Sequence, residues 1–396
     1  MPAEDGAIQP RLSTFDTAMV VFSLVVGIGI FRTPAIVAAA AGDTFLFFCA
    51  WVVGGAISLI GALTFAEIGS RHPRAGGYYR VVADCYHPLL AFMLNWSQTL
   101  MQGAGAAGVA FIGADYLLPV LLPPQWRTPQ ASLALACGTM LLLLMLNYGG
   151  VRPGARTQNL LSTLKIVMIV GLALLALLLA PHARAAPPTT SSAWAPRLSA
   201  ALIPCFYAYG GYPLTMNLGA DLKDARRRFP LAITAGMLTV VALYLLLNVA
   251  YQRTLGTTGI ASSKLVAAAL SRAFLRVHPN TQVQEVGLLF FGATMLIPAF
   301  LLGSFEKLLD YVIFTDTLTL AVVASTLFVL RHRRAGEGAY TMIGYPLLPA
   351  LYVLCLLGAA ARVFSLEPHL ALSGIVVLAT GWPLFKLGRR LFRPAP

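Results

Sequence analysis

Val25-Val26-Gly27-Ile28-Gly29-Ile30-Phe31 sets two glycines in the middle of an apolar run at about residues 17–40. Glycine costs about 1 kcal/mol relative to alanine in a helix interior. It lets the backbone unwind and bring bare N–H and C=O groups to a ligand. In lipid such groups are tolerated only where they line a cavity or are buried in protein. The stretch therefore predicts a first helix broken near the bilayer midplane, with a small-molecule site at the break.

The rest of the chain supports a membrane setting. It is 58% hydrophobic and 11% charged, with mean hydropathy +0.76; soluble domains carry about 25% charged residues. About eleven apolar spans are legible, at 17–40, 45–69, 88–118, 130–150, 158–180, 198–219, 230–251, 286–303, 308–330, 345–364 and 369–388. The N-terminal tail, 1–16, carries Glu4 and Asp5 and no cationic leader pattern, so the first span is expected to stay. Pro181 to Pro196 reads as an irregular loop, and 389–396 as a tail.

Net charge is +13, a balance that in a soluble protein points to nucleic acid. Here the basic residues sit in short loops and read as orientation signals. Arg71, Arg74 and Arg80 follow the second span, Arg152 and Arg156 the fourth, and Lys223 and Arg226–Arg228 the sixth. The positive-inside rule then puts the N-terminus in the cytoplasm. Beyond the seventh span the pattern breaks. Arg331, Arg333, Arg334 and the C-terminal Lys386–Arg393 cluster should also be cytoplasmic, yet too few crossings precede them. Gln252 to Glu285 holds only a short apolar piece, with Lys264–Leu275 readable as an interfacial amphipathic helix. Either one helix is missing around 252–285, or the second half inserts against its charge bias.

The motifs, taken in order, resemble the amino acid–polyamine–organocation superfamily, in particular its amino acid permeases. Gly27-Ile28-Gly29-Ile30-Phe31 is similar to the superfamily's Gly-x-Gly-Ile-Phe motif. Gly61-Ala62-Leu63-Thr64-Phe65-Ala66-Glu67-Ile68-Gly69 and Pro73-Arg74-Ala75-Gly76-Gly77 resemble its second span and following loop. Asn147–Arg152 and Gly154–Asn159 look like the approach to its fifth span, and Phe206-Tyr207-Ala208-Tyr209-Gly210-Gly211 like its broken sixth helix. The resemblance implies an all-α membrane protein of the LeuT-type inverted-repeat fold. Residues 17–180 would form the first five-helix repeat, 198–330 an incomplete second repeat, and 345–388 two C-terminal helices. The chain departs from the superfamily where the eighth helix is expected, leaving about eleven spans instead of twelve.

The resemblance also implies a function: secondary active transport of amino acids or related amines by alternating access, with protons as the expected coupling ion. The setting would be a bacterial inner (plasma) membrane. Gly27, Ile28, Gly29, Ile30 and Phe31 would form half of the substrate site, and Tyr207, Ala208, Tyr209, Gly210 and Gly211 the other half. Helix N-termini would attract the substrate carboxylate and helix C-termini its ammonium. The plainer reading of these small residues is close helix packing. The missing helix motivates a second function from another class, a non-transporting remnant or a membrane sensor that binds substrate without turnover.

Four ionisable residues stand out inside or beside spans. Lys165 lies early in the fifth span, where an ammonium is expensive and usually functional; its plain alternative is snorkelling to the surface. The resemblance places it against the first helix, in a coupling or site-stabilising role. Glu67 is a candidate gate or scaffold carboxylate. Arg32 follows the glycine motif, and Asp316 lies inside the tenth-helix equivalent and needs a partner or water. Gly103-Ala104-Gly105-Ala106-Ala107-Gly108 spells G-x-G-x-x-G, but it lies in a membrane helix with no strand before it, so a dinucleotide site is excluded. The six histidines and five cysteines show no ligand spacing. No cofactor, metal, nucleic-acid partner or catalytic constellation is indicated, and an enzyme is not expected.

Overall fold

The computed structural model describes residues 13–27, 29–72, 76–128, 130–132, 134–139, 155–179, 193–218, 224–263, 309–336, 340–366 and 368–391. The described chain is helical, with no strand. Helix α1 (Thr14–Val25) opens on a capping box. The Ser13 hydroxyl accepts from the Asp16 N–H at 3.1 Å, and the Asp16 carboxylate accepts from the Ser13 N–H at 2.9 Å. A cap of this kind is worth about 1 kcal/mol. Regular helix stops at Val25 and resumes as α2 (Gly29–Ala41), whose axis is turned by 47°.

Asp43 caps α3 (Thr44–Arg71) by accepting from the Leu46 N–H at 2.8 Å. The short α4 (Gly77–Cys85) buries Tyr78, Val81, Val82 and Cys85 on one face. That i, i+3, i+4, i+7 spacing is the stripe by which an amphipathic helix docks. Next come α5 (Pro88–Leu121), a 3-10 turn at Pro124–Trp126, α6 (Ala155–Leu179) and α7 (Trp194–Ala208). A 3-10 segment, Tyr212–Leu218, follows α7 after a turn, so the apolar run expected at 198–219 is two pieces. Helix α8 (Ala225–Ser262) leaves helical geometry at Gly256 (φ 66°, ψ 169°). The chain closes with α9 (Leu309–His332), α10 (Leu347–Leu366) and α11 (Pro368–Leu391).

Among the described residues, α3, most of α8, Phe314–His332 of α9 and Leu347–Ser365 of α10 are long and apolar enough to cross a membrane. The bent pair α1–α2 makes a fifth such unit. The expected span at 286–303, most of 252–285 and of 181–196, both chain ends and the 147–154 motif lie outside the described residues.

Helix α8 is the central post, packed against α1, α2, α3 and α6. Helix α7 lies on α2 and α3, and α9 packs on α3, α4, α5, α10 and α11. Trp51, Tyr209 and Tyr244 are fully buried where α3, α7 and α8 meet. Their rings contact edge to face across Trp51–Tyr209 (5.7 Å) and Trp51–Tyr244 (6.0 Å), the geometry that aromatic quadrupoles favour.

Two contacts fix the sense of the helices. At the start of α3, Thr44 Oγ1 lies 3.0 Å from Thr257 Oγ1 near the end of α8. At the end of α3, Glu67 and Arg71 meet Arg331 and Ala335 at the end of α9. Helices α3 and α9 therefore finish on one side of the bundle, and α8 finishes on the other. Arg71, Arg331 and Arg333 therefore lie at one end of the bundle.

Candidate functional site

The turn after α7 meets the end of α1. Gly211, in the turn after α7, has φ +99°, and a Cβ there would lie 2.4 Å from the Leu24 carbonyl oxygen of α1. Only glycine permits both that dihedral and that approach. At the start of α2, a Cβ on Gly29 would meet the Ala208 Cα at 3.4 Å. Beside Gly27 the opposite holds, since a Cβ there would meet nothing within 4 Å. The structure thus brings Gly29 to Ala208 and Gly211 to Leu24, and leaves open space at Gly27. Ile28 lies outside the described residues.

The side chains of the same stretches point two ways. Ile30 and Phe31 are buried in the main core. Tyr209 is fully buried, and its hydroxyl donates to the Trp51 carbonyl at 3.2 Å, which commits it to α3. Tyr207 is partly buried, and it packs on a small apolar cluster around Phe314 and Val363. Gly210 continues the end of α7, its N–H donating to the Tyr207 carbonyl at 3.0 Å.

Three helix ends converge here with opposite polarity. Helices α1 and α7 bring C-terminal carbonyls, and α2 brings N-terminal N–H groups, which have no partner within their own helix. The partial charges are about half a unit, negative at carbonyl ends and positive at N–H ends. Two carbonyls at the end of α1 are held from outside. Val25 O accepts the Tyr244 hydroxyl at 3.1 Å, and Val26 O accepts from Lys165 Nζ at 3.4 Å. Sequence reading did not single out Tyr244. Its signal was a polar pair one helical turn apart, Tyr244 and Asn248, inside an otherwise apolar span.

Lys165 is the top rung of a polar ladder between α6 and α1. Asn159 Nδ2 donates to Asp16 Oδ1 at 2.5 Å, and the Ser162 hydroxyl to the Met19 carbonyl at 3.2 Å. Lys165 Nζ then donates to the Ser23 hydroxyl at 3.1 Å and reaches Val26 O. Spacing of three residues along α6 keeps the donors on one face. The lysine is 6% exposed, so it faces the break and does not snorkel to the surface.

Glu67 is fully buried at the far end of α3. Its Oε1 accepts from Arg71 Nε and Arg331 Nε, both at 2.7 Å. Its Oε2 accepts from Arg331 Nη2 at 2.7 Å and the Met342 N–H at 2.8 Å. Arg331 also stacks over the Tyr345 ring, 3.8 Å from its centroid. One carboxylate thus joins α3, the end of α9 and the segment before α10. A similar tie on the opposite side was not anticipated. Arg197, at the start of α7, donates to the Ala41 carbonyl and pairs with the Asp43 carboxylate, closing α7 onto the α2–α3 turn. Arg32 lies partly buried on α2 and Asp316 partly buried on α9, where Gln98 Nε2 of α5 donates to Asp316 Oδ1 at 2.5 Å. Among the described residues no group of three His, Cys, Asp or Glu side chains could hold a metal.

The sequence is similar to those of known amino acid permeases. A family model described as amino acid permease matches residues 12–278. The Asc-type amino acid transporter 1 of Homo sapiens is 24% identical over 437 aligned positions, which cover 98% of this chain and 83% of the relative. The serine/threonine exchanger SteT of Bacillus subtilis is 24% identical over 89% of this chain and 91% of its own length. The large neutral amino acids transporter small subunit 2 of Homo sapiens is 25% identical over 96% of this chain and 81% of its own.

Proposed function

The chain belongs to the amino acid permease family, and we propose that it moves amino acids across a membrane by alternating access around the α1–α2 and α7 breaks. The observation that carries this reading is the apposition of Gly211 with the end of α1 beside open space at Gly27. Helix ends of both polarities around one opening suit a zwitterion. The substrate carboxylate sits at the N-terminus of α2 near Gly29, and its ammonium at the carbonyl ends of α1 and α7. Such backbone contacts read only the amino-acid moiety, so a wide range of side chains is compatible with them.

Coupling to protons is assigned to Lys165. Its ammonium holds the last carbonyl of α1, so loss of the proton releases one bond at the break and biases the helix pair toward another arrangement. A proton gradient thereby gains a handle on the site without touching the substrate.

The stretch 252–285 is read as lacking the eighth helix. Two findings support this: the family match ends at residue 278, and the 437-position alignment is longer than the chain itself. Transport is favoured over a non-transporting remnant or sensor, because relatives named as transporters match almost the whole chain. The test is uptake and counterflow in proteoliposomes with a panel of radiolabelled amino acids. Saturable uptake with counterflow is expected. Binding without counterflow would sink the transport reading and revive the sensor.

A further inference from the structure

The turn after α7 is held from a distant part of the chain. Tyr212 directly follows Gly211, the glycine that packs on the Leu24 carbonyl. It opens the 3-10 segment, which lies against α1. Its own carbonyl accepts the Thr215 hydroxyl at 2.5 Å, closing the first turn of that segment. Its hydroxyl lies 2.6 Å from the hydroxyl of Tyr352, which stands on α10, 140 residues further along.

The two phenols are enclosed together. Tyr212 is 3% exposed and Tyr352 2%. Both rings meet Phe65 of α3 edge to face, at 5.9 Å and 6.4 Å. One helical turn earlier on α3, a Cβ on Gly61 would overlap the Tyr212 hydroxyl and lie 2.5 Å from Tyr352 Cε2. Glycine at 61 thus leaves the room in which the hydroxyls meet. Phenylalanine at both places would present the same rings to Phe65. Buried hydroxyls are costly unless paired, and here each satisfies the other. Their hydrogen bond adds what ring packing lacks, a defined distance and angle.

We propose that Tyr352 is a positioning residue for transport: through Tyr212 it fixes where the turn at Gly211 presses on the end of α1, and with it the shape of the opening at Gly27. This rests on the transport reading above. Helix α10 then acts on the substrate site although it lies outside both breaks, and neither tyrosine needs to touch the substrate.

The test compares the full chain with its Tyr352→Phe, Tyr212→Phe and doubly substituted forms. Uptake of radiolabelled serine and leucine into proteoliposomes gives KM and kcat. Binding of the same amino acids in detergent gives Kd, and a melting curve reports the fold. Each single variant leaves one buried hydroxyl unpaired and should melt below wild type. The double variant should melt close to wild type, because replacing both partners by apolar groups of the same shape is nearly neutral. KM and Kd should rise about threefold or more in either single variant, and by the same factor in the double, since all three lack one and the same bond. A merely structural bond changes the amount of folded carrier, and hence the maximal rate, but leaves KM alone. A double variant with wild-type KM and Kd therefore overturns the proposal and leaves transport intact. Single effects that multiply in the double also overturn it, because the two residues would then act separately. Should the single variants fail to fold, the double decides alone. Binding without uptake by wild type overturns the transport reading, and Kd still decides the role of Tyr352. A wild type that neither binds nor carries any amino acid overturns both.

Discussion

Glu67 and Arg331 form a two-point contact, with Arg331 Nε on Oε1 and Nη2 on Oε2, each at 2.7 Å. The carboxylate is fully buried, and its remaining capacity is filled by Arg71 and the Met342 N–H. Removing one partner of a buried pair typically costs about 3–5 kcal/mol, because the other charge stays buried alone. Glu67→Gln is expected to lower the melting midpoint of the detergent-solubilised protein by several degrees. Arg331→Lys should recover only part of the loss, since an ammonium cannot make the planar double contact. A melting curve unchanged in both variants would refute a scaffold role.

The glycines at the two breaks should respond differently to the same methyl group. Gly211→Ala forces a side chain into the left-handed region and 2.4 Å from the Leu24 carbonyl oxygen. It should destabilise the protein and abolish uptake. Gly27→Ala places its methyl where nothing lies within 4 Å. Its melting midpoint should match wild type within a degree or two, while its KM rises severalfold as the methyl takes ligand volume. Equal behaviour of the two variants would contradict the site geometry.

Lys165→Ala should reach the membrane at normal levels and lose the response of uptake to an imposed pH gradient. Its ladder partners Asn159 and Ser162 still hold α6 to α1, so folding should survive. Undiminished pH dependence in this variant would remove Lys165 from coupling.

Tyr244→Phe deletes the donor to Val25 O at 3.1 Å and leaves a buried carbonyl without that hydroxyl. The loss should be about 1–3 kcal/mol. Because that carbonyl belongs to the break, kcat and KM should both change, beyond what a stability loss elsewhere produces. Uptake kinetics compared with a Tyr251→Phe control on the same helix would show it.

Topology offers an independent check. Reporters inserted after Gly76 and after Gly336 should report the same side of the membrane, because Arg71 and Arg331 converge on one carboxylate. Opposite sides would mean that α9 is inverted.

Much of this was legible in the sequence because the decisive features are local. Glycine pairs in an apolar run announce a place where helix is weak, and both pairs lie beside the ends of described helices. Lys165 and Glu67 were visible as charges that lipid does not tolerate alone. What the sequence hid is partnership. Arg331 lies 264 residues from Glu67, and nothing local to either names the other. Nothing local to Arg197 shows that it ties α7 to the α2–α3 turn. Charge counting leaves the last spans open to inversion, because it tallies crossings and does not see where a helix end docks; in the structure the end of α9 docks beside the end of α3 at Glu67.

The ladder on α6 has a mechanical consequence. Asn159, Ser162 and Lys165 grip α1 at Asp16, Met19 and Ser23, along most of its length. Two rods pinned at three points cannot slide or swivel independently, so α1 and α6 travel as one strut. The soft joint is left at Val26–Gly27, between that strut and α2. Any motion at the break is then expected to be that of a lever, with α1 and α6 swinging together relative to α2.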